Sequence, residues 1–317
     1  MSYKDKYREL CKNEKSIPLF SKDWWMDAVC GEENWDVFVV ERGGQIAAAM
    51  PYYIKKKFGI KYITQPKLTQ TNGIWIRYHE NQRYERKLAY ENEVMTEIIN
   101  QLGEINVAYF QQNFHYSITN YLPFYLRGFE QNTRYTYVIE DLTDLEYVFS
   151  NFSKNHKKII RNNLEKVRIY ETEDIKQFYS LNKMVFQRQG LPIPYSFELV
   201  SKLDNACKQK NSRVMLAAED ENGIIHSVLY ITWDEQSAYF IMSGADPKFR
   251  NCNFETSLTW EGIKYASNVS KKLNFDGSMI ENISDFFRKF GAVQKPYFNI
   301  SKAFKYKLPI DIYKKIR

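Results

Sequence analysis

Cysteine and histidine are scarce in this chain, and neither is arranged for chemistry. Cys11, Cys30, Cys207 and Cys252 are the four cysteines among 317 residues. No two stand as a C-x-x-C pair, which excludes the common zinc and redox spacings. Without an export signal they read as free thiols of a reducing cytoplasm. The histidines, His79, His115, His156 and His226, never take H-E-x-x-H spacing, so no metal is expected. Long apolar runs are missing too. The longest, residues 46–54, is about half of the ~20 residues a membrane-spanning helix needs. Residues 1–15 are polar and mixed in charge, unlike a secretory signal. A cytoplasmic protein with no integral membrane segment is therefore expected.

What is present argues for a folded, two-part chain. Aromatic residues make up 16% of the sequence, far above what a disordered chain carries. The length suits two domains of roughly 100–200 residues each. The net charge of +7 suits an anionic ligand or surface without demanding one.

Two segments resemble one another. Residues 37–54 and 214–231 each read as a short apolar strand, a turn and a long apolar strand, with Gly43-Gly44 and Asn222-Gly223 as the turns. Gly44 and Gly223 correspond at a spacing of 179 residues. A third strand follows each copy, at 61–64 and 237–242, with helical material before and after. The repeat predicts a duplicated α/β unit, divided near residue 140 into 1–140 and 141–317. Apolar spacing predicts helices over 81–102 (stopped by Gly103), 174–189, 196–208 with Ser196 as N-cap, and 254–269. Residues 133–140 and 273–275 read as strands.

Three stretches could carry chemistry. Residues 153–168 hold six Lys or Arg against one Glu. Lys154, Lys157, Lys158 and Arg161 project from the first turns of a helix there, as an anion site or as a solvated face. Residues 239–258 run from a strand through a turn into a helix near Asn253. The unpaired N–H groups of such a helix start attract anions, and Arg250 adds charge ahead of them. In the third stretch the 273–275 strand ends at Asp276-Gly277-Ser278, with Glu281 following. Two carboxylates and a hydroxyl within one turn suffice for acid–base work, or for capping a helix. Phe286, Phe287 and Phe290 read as core. His226 reads as a core or sheet-surface residue. The polar segment 63–73 reads as a loop or as a holder of a sugar or peptide.

The order of helix, hairpin, third strand, anion-type turn, helix and strand resembles the GNAT acyltransferase fold. Two such units in tandem resemble the FemAB-like group of peptidoglycan-bridge aminoacyltransferases and the BioF2-like acetyltransferase domain proteins of envelope polysaccharide loci. The stretches that carry the resemblance are Ser153-Lys-Asn-His-Lys-Lys-Ile-Ile-Arg161, Gly244-Ala-Asp-Pro-Lys-Phe-Arg250, Phe275-Asp-Gly-Ser-Met279 and Phe287-Arg-Lys-Phe-Gly291. Two departures stand out. Asn253 and Glu255 replace the glycine and small residue of the GNAT pyrophosphate loop, which weakens acetyl-CoA as donor but not an aminoacyl-tRNA. Phe287 stands at the lysine position of the Fem-type F-K-x-x-F-G stretch, leaving Arg288 as the nearby cation.

The resemblance implies two tandem GNAT-like domains, each a mixed, largely antiparallel sheet flanked by helices. It implies transfer of an acyl or aminoacyl group to a cell-envelope precursor, with Asp276 or Glu281 as the base. Arg250, Asn251, Asn253 and Phe254 would touch the donor. Lys154, Lys157, Lys158, Arg161, Ser278 and Arg288 would hold the substrate. No permanently bound cofactor is implied. Acyl-CoA or aminoacyl-tRNA would be the co-substrate, and an anionic or carrier-linked precursor the partner. Binding of tRNA is compatible with this, DNA is not expected, and any membrane contact would be peripheral. The other reading is a non-catalytic binder of tRNA or anionic glycan that kept the fold.

Overall fold

The computed structural model describes residues 1–277 and 279–305. Contacts divide the chain into unit 1, Met1–Arg134 with the chain from Pro296 onward, and unit 2, Tyr135–Lys295. The boundary thus falls a few residues before the expected 140, and the final strand returns to unit 1 instead of staying in the second half.

Unit 1 opens with α1 (Tyr3–Asn13), α2 (Asp23–Cys30), β1 (Trp35–Arg42), β2 (Gln45–Lys57), β3 (Ile60–Thr64) and the short β4 (Trp75–Ile76). It continues through α3 (Tyr84–Glu104), β5 (Tyr109–Asn113) and α4 (Leu122–Tyr125) into β6 (Glu130–Ile139), which carries the chain into unit 2. There follow α5 (Leu145–Ser150), α6 (Lys154–Asn163), β7 (Arg168–Glu171), α7 (Ile175–Arg188) and α8 (Phe197–Gln209). Next come β8 (Arg213–Glu219), β9 (Ile225–Trp233), β10 (Ala238–Ala245), α9 (Phe254–Val269), β11 (Leu273–Asn274) and α10 (Glu281–Arg288). The last strand, β12 (Val293–Ala303), brings the chain back. Its residues 299–303 pair with β5, which is why this segment belongs with unit 1.

The two expected hairpins form, by different turns. Gly43 and Gly44 both take positive φ, 56° and 78°, and close Arg42 onto Gln45 as a two-residue turn. The second turn is wider. Asp220 accepts from the N–H groups of Asn222 and Ile224, both at 3.0 Å, and so holds a five-residue connection between β8 and β9. In each unit the third strand pairs in parallel with the strand after the next helix. The pairs are Tyr62↔Tyr109 and Ile63↔Phe110 in unit 1, and Ala238↔Leu273 and Tyr239↔Asn274 in unit 2. The repeated order is therefore a repeated pairing as well.

Helix positions follow side-chain chemistry closely. Ser196 accepts from Leu199 N–H and starts α8 as expected, and α9 occupies the expected 254–269. α3 differs: it runs through Gly103 to Glu104, because Val94, Met95, Ile98, Ile99 and Leu102 bury one continuous face and hold the last turn. In unit 2 the sheet is covered on both sides, and alternate residues of β9 face opposite ways. Leu229 and Ile231 pack in a cluster with Leu258 and Ile263 of α9. Between them Tyr230 meets the Phe178 ring of α7 edge-on at 5.7 Å and donates to Asp204 of α8 at 3.0 Å.

One contact fixes where α7 lies. A Cβ on Gly244 would stand 2.4 Å from the Asn182 nitrogen and 2.6 Å from the Leu181 carbonyl carbon. Only glycine lets the α7 backbone come this near β10. Gly244→Ala is expected to destabilise the protein by about 1–3 kcal/mol, the usual cost of overpacking against an element that cannot yield. Thermal melting checks this: a melting temperature equal to that of the parent would show that α7 can move away freely.

Candidate functional site

Both units contain a place where two parallel strands pair briefly and then part. In unit 1 the chain fills it. Asn72 and Gly73 donate N–H to the Asn113 carbonyl at 3.0 and 3.1 Å, and Gln65 Oε1 accepts from Asn113 N–H at 2.8 Å. Asn113 Nδ2 in turn donates to the Gln70 carbonyl at 2.8 Å. Thr69, Gln70, Thr71 and Asn72 are all buried. The polar segment 63–73, open between loop and ligand holder from its sequence, is an internal strap that satisfies the edge of β5.

In unit 2, β10 and β11 pair only at Ala238↔Leu273 and Tyr239↔Asn274, and among the described residues no strap follows. β10 also carries a bulge between Phe240 and Met242 at this point. Asn182 of α7 donates from Nδ2 to the Ser243 carbonyl at 2.6 Å. Its Oδ1 accepts from the Tyr195 hydroxyl at 2.9 Å, and the Tyr195 carbonyl accepts from the Tyr179 hydroxyl at 3.0 Å. Asp276 follows the end of β11 in left-handed conformation, φ 60°, with its N–H donated to Asn274 Oδ1 at 3.0 Å. Asn274 is held in turn by Thr136 Oγ1 at 2.5 Å.

Asp276 is half-buried as a residue, but its Oδ1 is closed off from solvent and has no hydrogen-bond partner among the described residues. Burial pushes its pKa well above the usual carboxylate range. Tyr195 also titrates above the ordinary phenol value, first through burial and in part through the Asp276 charge, which places the two groups near one another. Asn182 and Tyr195 were not singled out in the sequence. Neither carries a motif, and Tyr195 lies in the connection between α7 and α8, which holds Pro192 and Pro194.

An acetyltransferase (GNAT) domain family model matches residues 150–270. Among solved structures, FemX has a TM-score of 0.70 at 11% identity, over 99% of this chain and 98% of its own. The C-terminal domain of a putative lysylphosphatidylglycerol synthetase from Agrobacterium fabrum has a TM-score of 0.54 at 10% identity, over 95% and 92%. A tandem GNAT protein from the clavulanic acid biosynthesis pathway has a TM-score of 0.51 at 9% identity, over 95% and 93%. The chain has the tandem GNAT fold. No curated protein sequence matches it.

The other expected residues of the second GNAT unit are spread over three places. Arg250 and Asn251 lie in a 3-10 helix, Pro247–Cys252, and Asn253 at φ 55° links it to α9. Phe254 is buried; its ring stacks on His226 at 4.6 Å, with Phe249 on His226 at 4.0 Å, so only its backbone faces the helix start. Glu255 stands in the first turn of α9. Burial raises its pKa, while Arg188 and Arg250 pull the other way. The positive end of this helix thus already has a carboxylate of the chain's own. On α6, Lys154, Lys158 and Arg161 are exposed, whereas Lys157 donates to the Ser150 carbonyl at 2.6 Å and closes the end of α5. Asn163, at the end of α6, donates to the Cys252 carbonyl and to Ser257 Oγ, both at 3.2 Å, and so ties the basic helix to the start of α9. Glu281 and Arg288 line a cleft of about 350 Å³ with Tyr137 and Asp285, and Arg288 is ion-paired to Asp285. Ser278 lies outside the described residues.

His156, inside the basic stretch, faces inward against the rings of Phe290 and Phe286 at 4.6 and 5.5 Å. Neither ring nitrogen has a partner among the described residues, and burial, helped by Lys289, pulls its pKa down to about 4.

Two linkage effects follow, of opposite sign. A histidine whose pKa falls on folding takes its proton first in the unfolded chain, so stability is full above the ordinary value near 6.5 and is lost as pH drops toward 4. His156→Leu should flatten the fall of melting temperature across that window; an unchanged slope would show that the ring is solvated. Asp276 holds its proton in the folded state after the unfolded chain has lost it. Stability therefore declines as pH rises from the ordinary carboxylate value through the native one. Asp276→Asn should raise the melting temperature near neutral pH and leave it unchanged in acid. A lower melting temperature at neutral pH would mean that the carboxylate is paired.

Proposed function

We propose that unit 2 transfers an acyl or aminoacyl group from a thioester or ester carrier to an amine or hydroxyl of a cell-envelope precursor. The observation that carries this reading is the Asp276 carboxyl, whose buried Oδ1 has no hydrogen-bond partner among the described residues and whose charge is felt at Tyr195, just after β11 parts from β10. Parted strand edges offer unpaired N–H and C=O groups to an extended, amide-bearing carrier arm. The acceptor nitrogen or oxygen attacks the carrier's carbonyl carbon while Asp276 removes its proton. The oxyanion then collapses, the bond to the carrier's sulfur or oxygen breaks, and the proton passes to that leaving atom. A carboxyl whose pKa burial raises above its ordinary range is a stronger base once ionised and can return the proton it takes.

The envelope assignment is supported by the resemblance to the FemAB-like group and by the fold shared with FemX and with the C-terminal domain of a putative lysylphosphatidylglycerol synthetase. Glu255 at the start of α9 favours a carrier whose phosphates bind elsewhere, and the exposed Lys154, Lys158 and Arg161 of α6 supply cations for it. Glu281 is the second candidate base. A binder without chemistry is the alternative that the Glu255 substitution favours.

Turnover with aminoacyl-tRNA and acyl-CoA donors, against nucleotide-linked peptidoglycan precursor and phosphatidylglycerol acceptors, tests the reading. Asp276→Asn keeps the shape but cannot accept a proton. Its rate should fall by roughly 10²–10⁴ with little change in KM. The parent's acid limb, set above the ordinary carboxylate range, should vanish with it. A normal rate for Asp276→Asn would remove this residue from the mechanism, and no turnover with any donor would leave the binder.

A further inference from the structure

The hairpin between β2 and β3 carries three costs that no contact among the described residues repays. Its turn is Phe58-Gly59, with φ of 50° and 76°. A two-residue turn with both φ positive is normally made by Asn-Gly or Gly-Gly, and a bulky aromatic there is strained. The Phe58 ring is also 92% exposed, and Ile60 beside it 42% exposed. Finally, Lys56 stands directly opposite Lys61 in the strand pairing, a like-charge pair that destabilises a hairpin.

The charge around this tip is one-sided. Residues 55–61 read Lys-Lys-Lys-Phe-Gly-Ile-Lys, and no Asp or Glu occurs between Glu41 and Glu80. Lys56, Lys57 and Lys61 are exposed, and none forms an ion pair among the described residues. The Lys57 ammonium lies 5.5 Å from the Phe58 ring, which places charge and apolar tip side by side. No helix among the described residues is long and apolar enough to cross a membrane.

We propose that this hairpin is a docking tip for an anionic lipid surface, with Phe58 and Ile60 entering the headgroup boundary and Lys56, Lys57 and Lys61 resting on anionic headgroups. Each cost then becomes a gain. The exposed ring finds an apolar phase, the opposed ammonium groups find counter-charge, and the strained turn holds the ring at the apex, where it reaches furthest. A lipid surface accounts for Ile60 as well as Phe58; a nucleic acid would stack on the ring but has no use for an aliphatic side chain. This inference stands apart from the proposed chemistry at Asp276, since it concerns where unit 1 rests.

Co-sedimentation of the full chain with vesicles of phosphatidylcholine alone, and of phosphatidylcholine mixed with phosphatidylglycerol, tests it. Binding is expected to the mixed vesicles only. Lys56→Gln, Lys57→Gln and Lys61→Gln should each weaken binding about fivefold. Phe58→Asn should weaken it about tenfold or more, with the melting temperature kept or raised, because Asn accepts the left-handed turn. Equal binding to both vesicles, no binding to either, or unchanged affinity of Phe58→Asn would overturn the proposal. So would loss of tRNA gel shift in these variants without vesicle binding in the parent, which would assign the tip to nucleic acid.

Discussion

The second unit depends on how close α7 comes to β10. With no side chain at Gly244, the helix backbone lies against the strand, and Asn182 reaches the Ser243 carbonyl. That amide then holds the Tyr195 hydroxyl, and Tyr195 stands where the Asp276 charge is felt. A larger residue at 244 would push back α7 and, with it, the polar side chains at the mouth of the parted strands. Burial holds the Asp276 carboxyl above its ordinary pKa, and shifts of this kind gather at functional sites.

The two units put the same strand geometry to different ends. In unit 1 the edge released where β3 and β5 part is taken up by the 65–73 strap through backbone and amide hydrogen bonds. In unit 2 the corresponding opening is lined by titratable and hydrogen-bonding side chains. An unpaired strand edge must be satisfied by something. Unit 1 supplies its own chain; in unit 2 no strap follows among the described residues, and the proposed carrier arm would take that place. Duplication followed by closure of one copy would leave unit 1 free for other uses, and its basic β2–β3 tip is one.

Much of this was legible in the sequence because local chemistry decided it. Gly43-Gly44 allows hardly anything but a tight turn, Ser196 caps, and the apolar period of 254–269 gave α9 its observed limits. Asp276 could be placed at a strand end because Asp-Gly after an apolar run marks a bend. Where the sequence reading fell short, distant parts of the chain decide. The 63–73 segment has the composition of a surface loop, yet its amides are buried because β5 offers them partners. Gly103 did not end α3, since packing of Leu102 outweighed the local preference. Asn182 and Tyr195 join the site only through the Gly244 contact, which no local pattern records. The GNAT pyrophosphate loop was legible as degenerate, but only the structure shows Glu255 half-withdrawn beside Arg188 and Arg250.

The proposed chemistry of unit 2 depends on the state of one carboxyl group. Carbon-detected NMR of the protein labelled at the aspartate side-chain carboxyl carbons would follow Asp276 through its titration, with Asp276→Asn to assign the signal. The expected midpoint lies above the ordinary carboxylate range, since burial disfavours the charged form of this group. A midpoint at or below the ordinary value would mean that the carboxylate is solvated or paired, and the site described here would lose its base.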